Sequence, residues 1–238
     1  MDKTNFLFFS AYVVEFQEVK LPEVSMNAIL HAEPASVLSR LQQLGLTEAA
    51  LLRAVMAGYI AKSNCTENHP PLFPPIAAWS EAVRTLRDVL KAEGWTRFND
   101  QNSPKTMSPD GSISIIVSTG NESTGIPYAA PATTSSKGPN TAGAIEINRS
   151  LQLYLPGMEL PVSLQDEDEK VTTWILLAHH AKNELRAELS LPLDVGSDGR
   201  VSVWQERIIL RTQPLDGELV MITPPAQPDI DVAVRRKA

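Results

Sequence analysis

Apolar residues recur three and four positions apart through residues 34 to 93, and from about residue 105 the spacing shortens toward two. The first regime predicts helices and the second predicts strands. Pro34 suits a first helical turn, where a missing N–H costs nothing, and Val37, Leu38, Leu41 and Leu44 form a stripe that Gly45 ends. Thr47 reads as the N-cap of a second helix, whose stripe is Leu51, Leu52, Val55, Met56, Tyr59 and Ile60. Pro70, Pro71, Pro74 and Pro75 break the pattern over residues 64 to 75, since each ring removes a donor and restricts the residue before it. A third helix is therefore expected from Ile76 to Glu93, with Trp79, Val83, Leu86, Val89 and Leu90 inward and Gly94 as its stop.

In the second regime, Pro109-Asp110-Gly111 marks a turn before a mostly buried strand over residues 112 to 118. Residues 171 to 211 read as a three-stranded antiparallel meander. With the first turn at residues 181 to 184, Ala178 faces Ala187, Leu176 faces Leu189 and Trp174 faces Leu191, which keeps one face apolar throughout. The broken alternation around Gln205, Glu206 and Arg207 predicts a bulge in the third strand. Residues 6 to 20 read as a first strand or short helix, with Phe6, Phe8 or Phe9, Val13 and Phe16 on the core.

A run of helices followed by a run of strands gives the fold class: α+β, about three N-terminal helices packed on a mainly antiparallel sheet with a C-terminal β-meander. One domain is expected over residues 1 to 216, helical at 34 to 93 and strand-rich at 105 to 211. Residues 217 to 238, with three prolines and a terminal Arg235-Arg236-Lys237, read as a partly disordered extension.

Composition narrows the function classes. The net charge of −7 over 238 residues gives no general attraction to nucleic acid or to an anionic membrane, so either would need a local basic patch. No stretch reaches the roughly 18 to 20 apolar residues that span a bilayer. A single cysteine, Cys65, favours a reducing compartment, and the cytoplasm is the expected location. The apolar run near the N-terminus lacks the charge and cleavage pattern of a signal peptide.

The most informative segment is residues 118 to 143, where 16 of 26 residues are Gly, Pro, Ser or Thr, a composition that predicts one long loop. Such a loop can gather backbone N–H groups around an anion. Its candidate ligand-binding residues are Gly120, Ser123, Thr124, Gly125, Ser136, Lys137, Gly138 and Thr141, with Lys137 as the anion contact and the hydroxyls as further donors. The order of a Walker loop and a G-x-G-x-x-G motif are both missing. Residues 37 to 60 have the outline of a helix-turn-helix, but the second helix offers one arginine and no Lys, Asn or Gln for reading bases. Cys65 with His69, the adjacent His179 and His180, and the acidic run Asp166-Glu167-Asp168-Glu169 lack the spacing of a zinc or calcium site. A mixed strand face of Ile175, Leu177, His179, Arg186 and Glu188 is explained more simply by cross-strand ion pairing on a half-exposed sheet than by acid-base chemistry. No metal, cofactor or catalytic residue is assigned. The favoured reading is a non-enzymatic binding or accessory subunit whose partner is another protein or a second copy of itself. The alternative is an enzyme or sensor that binds a nucleotide or other phosphorylated small molecule in the 118 to 143 loop.

Overall fold

A computed structural model describes residues 28 to 100, 103 to 153 and 171 to 215. The element expected at residues 6 to 20, the acidic run at 166 to 169 and the extension at 217 to 238 lie outside them.

Helix α1 (Pro34–Gln43) carries its proline in the first turn and buries Val37 and Leu41, while Leu38 faces solvent. Gly45 turns the chain at φ +67°, and the Thr47 hydroxyl accepts from the Ala50 N–H at 3.3 Å to open α2 (Glu48–Ser63). The two helices lie at 95° to each other. Burial of α2 extends well beyond one stripe, with Ala50, Leu51, Leu52, Ala54, Val55 and Gly58 all covered. The helix that a helix-turn-helix would insert into a DNA groove is thus part of the core.

Helix α3 (Phe73–Leu90) starts three residues earlier than its prolines suggested. Pro74 and Pro75 sit in the first turn, where amides have no intrahelical acceptor and their loss is tolerated. Trp79, expected inward, is 39% exposed, whereas Val83, Leu86 and Leu90 are buried as the period requires. A 3-10 turn (Lys91–Glu93) follows and ends at Gly94, at φ +81°.

Eight strands form one mixed sheet: β1 (Ile29–His31), β2 (Thr96–Asp100), β3 (Ser103–Met107), β4 (Ile113–Thr119), β5 (Thr172–His180), β6 (Glu184–Val195), β7 (Val201–Ile209) and β8 (Gln213–Pro214). Their order is β1-β7-β6-β5-β4-β3-β2, with β8 also on β6. Five pairings are antiparallel, and β1 with β7 and β4 with β5 are parallel. The meander has the expected register, with Leu176 opposite Leu189 and Ala178 opposite Ala187. Leu191 pairs with Glu206 and Pro192 with Trp204, so Gln205 is the extra residue of the bulge. Parallel strands need a crossover, and β4 reaches β5 through a helix that sequence reading placed partly inside the loop, α4 (Pro139–Leu153).

Strand alternation divides the core between two faces. Ile115, Trp174 and Leu176 meet α1, α2 and α3 on one side. Ile116, Ile175 and Leu177 meet Ile145 of α4 on the other, together with Val201 and Trp204. The buried Asn148 fixes α4 there, donating to the Thr173 and Pro192 carbonyls at 2.9 and 3.1 Å and accepting from the Thr173 N–H at 2.8 Å. No single described helix is long and apolar enough to cross a membrane.

At the α2–α3 crossing, a Cβ on Gly58 would stand 2.5 Å from the Ala78 carbonyl oxygen. Alanine gains about 1 kcal/mol of helix propensity over glycine. A backbone collision outweighs it, so Gly58→Ala is expected to lose about 1–3 kcal/mol. A lowered midpoint in urea denaturation would show this, and a raised one would mean the helices part without cost.

Candidate functional site

The segment between β4 and α4 is closed on itself by its own polar groups. The Gly120 N–H donates to the Ala178 carbonyl at 2.9 Å, and Gly120 forms an isolated bridge with Thr133. The Asn121 N–H donates to Ala132 O, and its side-chain oxygen accepts from the Ser123 and Ala132 amides. The Thr133 N–H donates to Val201 O at 3.0 Å and its hydroxyl accepts from the Val201 N–H at 3.1 Å, while the Trp204 indole donates to Pro131 O at 2.8 Å. A Cβ at Gly120 would fall 2.0 Å from the buried Thr124 hydroxyl, so glycine is required there by close approach.

Beneath this loop lies a buried ion pair. Glu188 on β6 is fully buried, and the Arg207 guanidinium on β7 clasps it with Nε at 3.1 Å and Nη2 at 2.7 Å. Two further donors complete the carboxylate, the Ser190 hydroxyl at 2.9 Å and the Gly125 N–H at 2.9 Å. Arg207 also donates to the carbonyls of Ala129 and Ile126, at 2.8 and 3.2 Å. Each charge is therefore compensated, and the loop backbone supplies part of the compensation. Of the residues expected to cradle an anion, Gly125 gives its N–H to an internal carboxylate and Gly120 gives its own to β5.

The eight candidate residues thus separate into two groups and one residue apart, Ser136. Gly120, Ser123, Thr124 and Gly125 belong to the folded loop over the sheet. Lys137, Gly138 and Thr141 meet at a cleft of about 340 Å³, while Ser136 packs against Gly199 in the β6–β7 turn. The cleft exists because β3 pairs with β4 only at Thr106 and Met107 and then diverges, leaving Pro104 and Ser103 across from Ile116 and Val117. Pro104 removes one ladder donor from the diverging strand. The N-terminal end of α4, the positive end of its dipole, forms one wall, and the exposed Trp79 of α3 stands at another.

Lys137 is held at this cleft from both ends. Its main-chain N–H donates to Gly199 O at 2.7 Å, and its ammonium donates to the Ser118 hydroxyl at 2.5 Å. Among the described residues no carboxylate lies within ion-pair distance of it. Burial lowers its pKa to about 8. The Ser118 hydroxyl is buried and in turn donates to the Thr119 carbonyl at 3.5 Å.

The remaining candidates have local partners. His69 accepts from the Thr66 N–H and stacks on Phe73, and Cys65 donates to Ala61 O. His180 lies edge-on to Tyr59, with its pKa lowered to about 4 by burial and by Lys62 and His179. Arg186 pairs with Glu184 at 3.2 Å. The mixed face read from the sequence is therefore a covered face whose principal charge, Glu188, is matched by a residue that reading left unconnected to it.

Replacing Arg207 by Met should strand a buried carboxylate at a cost of about 3–5 kcal/mol. It should also release the loop, so that hydrogen exchange at residues 125 to 131 rises more than at β5. Equal acceleration in both segments would show that the loop is held by other contacts. No family model, curated protein or solved structure matches the chain.

Proposed function

We propose that the protein is a non-enzymatic binding module or sensor that takes a small phosphorylated ligand in the cleft between β3, β4 and the head of α4. One observation carries this reading: Lys137 is a partly buried cation at a helix N-terminus, in an open cleft, with a hydroxyl but no carboxylate for company among the described residues. A charged group desolvated without a counterion costs stability, and an arriving phosphate offsets that cost. The Thr141 hydroxyl and the first turn of α4 add donors of the kind that phosphates accept from. An enzyme is the alternative reading of the same cleft, with the Ser118 hydroxyl, 2.5 Å from the Lys137 ammonium, as the group to test. The cytoplasm remains the proposed compartment, on the single unpaired Cys65.

A second reading is contact with another protein. Leu72, which precedes α3, and Phe73, Ile76 and Trp79 in its first two turns are exposed, at 74%, 43%, 54% and 39%. Exposed apolar residues grouped in this way favour an interaction surface.

The lowered pKa fixes the pH dependence. Below about pH 8 Lys137 is charged and attracts the anion, and above it the attraction fades, well before an ordinary lysine at 10.5 would lose its proton. Binding of inorganic phosphate or a mononucleotide, followed by calorimetry, should therefore weaken as pH rises through 8.

Stability should move in the opposite sense. Because the folded pKa lies below the unfolded one, the ammonium opposes folding at neutral pH and ceases to do so as pH rises from about 8 toward 10.5. Lys137→Met should then abolish binding while stabilising the ligand-free protein by about 1–3 kcal/mol. A variant that still binds phosphate would end this reading.

A further inference from the structure

The cleft has a neighbour. A second cavity of about 390 Å³ is bounded by the same Trp79 and Pro104, and its walls carry Arg87 of α3 and Arg97 of β2. Arg84 and Asp88 also face it, but they are spent on each other at 2.6 Å. Arg87 donates through one nitrogen to the Asn99 side chain at 2.7 Å and to the Lys105 and Phe98 carbonyls, while its buried Nε has no hydrogen-bond partner. The Arg97 side chain is exposed and makes no hydrogen bond among the described residues. Neither arginine lies within ion-pair distance of a described carboxylate, and burial and the charge of Arg97 together lower the pKa of Arg87.

Three cations without an ion-pair partner among the described residues, Lys137, Arg87 and Arg97, line two adjoining cavities that share Trp79 and Pro104. Between Lys137 on one side and the arginine pair on the other stands Trp79, the one exposed indole, since Trp95, Trp174 and Trp204 are buried. Cation, exposed aromatic side chain, cation is the set of groups that a phosphate, a planar base and a second phosphate would meet. Aromatic stacking tolerates any base, and guanidinium groups match phosphate geometry better than an ammonium does.

We propose that the ligand is a 5′-phosphorylated dinucleotide, with its terminal phosphate on Lys137 and the head of α4, its first base against Trp79, and its internucleotide phosphate on Arg97 and Arg87. This inference rests on the reading of Lys137 as a phosphate contact and extends it to the chemical class of the ligand. Arg97 reads the second phosphate directly. Arg87, tied to the β2–β3 hairpin, adds its charge from a fixed position.

The test is a fluorescence titration of the 238-residue chain with inorganic phosphate, adenosine monophosphate and 5′-phosphorylated diadenylate. Both nucleotides should quench the exposed indole and phosphate should not, and the dinucleotide should bind at least about tenfold tighter than the mononucleotide. Arg97→Gln should remove that preference, and a thermal melt confirms that the variant is folded. Trp79→Leu should remove the quenching and weaken both nucleotides. Equal affinity for the two nucleotides, or a preference that survives Arg97→Gln, overturns the dinucleotide and leaves the phosphate site standing. Failure of all three probes to bind overturns both.

Discussion

Burying the Glu188 carboxylate completely confronts the chain with a cost that only a full set of donors can remove. Arg207 supplies two of them, Ser190 one and the Gly125 amide the fourth. The rest of the guanidinium then needs acceptors, which it finds in the Ile126 and Ala129 carbonyls. A single pair of charges thereby dictates the path of the loop over the sheet. Once that path is set, Thr133 meets Val201, Lys137 meets Gly199, and α4 begins where its first turn opens on the cleft.

The cleft itself comes from an interrupted sheet. Had β3 followed β4 along its length, Ile116 and Val117 would have had strand neighbours on both sides, and the space beside Lys137 would have been filled. Their divergence after Thr106 and Met107 makes a wall of backbone and small side chains, with α3 and its exposed Trp79 on one flank and α4 on the other. Ligand sites at the carboxyl ends of parallel strands, near a helix N-terminus, follow from the same geometry in many α/β arrangements. Here the parallel pair is β4 with β5, and α4 is its crossover.

The meander was legible because its alternation is strict: Leu176 and Ala178 against Ala187 and Leu189 admit one register without exposing apolar residues. Capping at Thr47 and the stop at Gly45 were legible for equally local reasons. Helix α4 was hidden because its inward face presents Asn148 beside Ala144 and Ile145, while Thr141 and Gly143 prolong the loop composition into its first turns. Pro139 after Gly138 was the available signal of a helix start. Trp79 looked like core because its spacing matches Val83 and Leu86, and periodicity cannot show that β3 has moved away. Glu188 and Arg207 were hidden for a deeper reason. A charged residue in a strand reads as solvent-facing, and their proximity appears only once Ser190 is known to lie opposite Arg207.

Strand β7 carries Glu206 and Arg207 side by side, pointing to opposite faces of the sheet. Glu206 is clasped by Arg40 and His31 on the side of α1, while Arg207 clasps Glu188 on the side of the loop. If β7 were to slide by one residue, the two would trade faces, because side chains alternate with a period of two. Glu206 would then confront Glu188 in a dry interior, and Arg207 would be thrust among the guanidinium of Arg40 and the indole of Trp174. Both encounters are repulsive or uncompensated, so the neighbouring opposite charges act as a lock that accepts one alignment of the strand and rejects the adjacent ones.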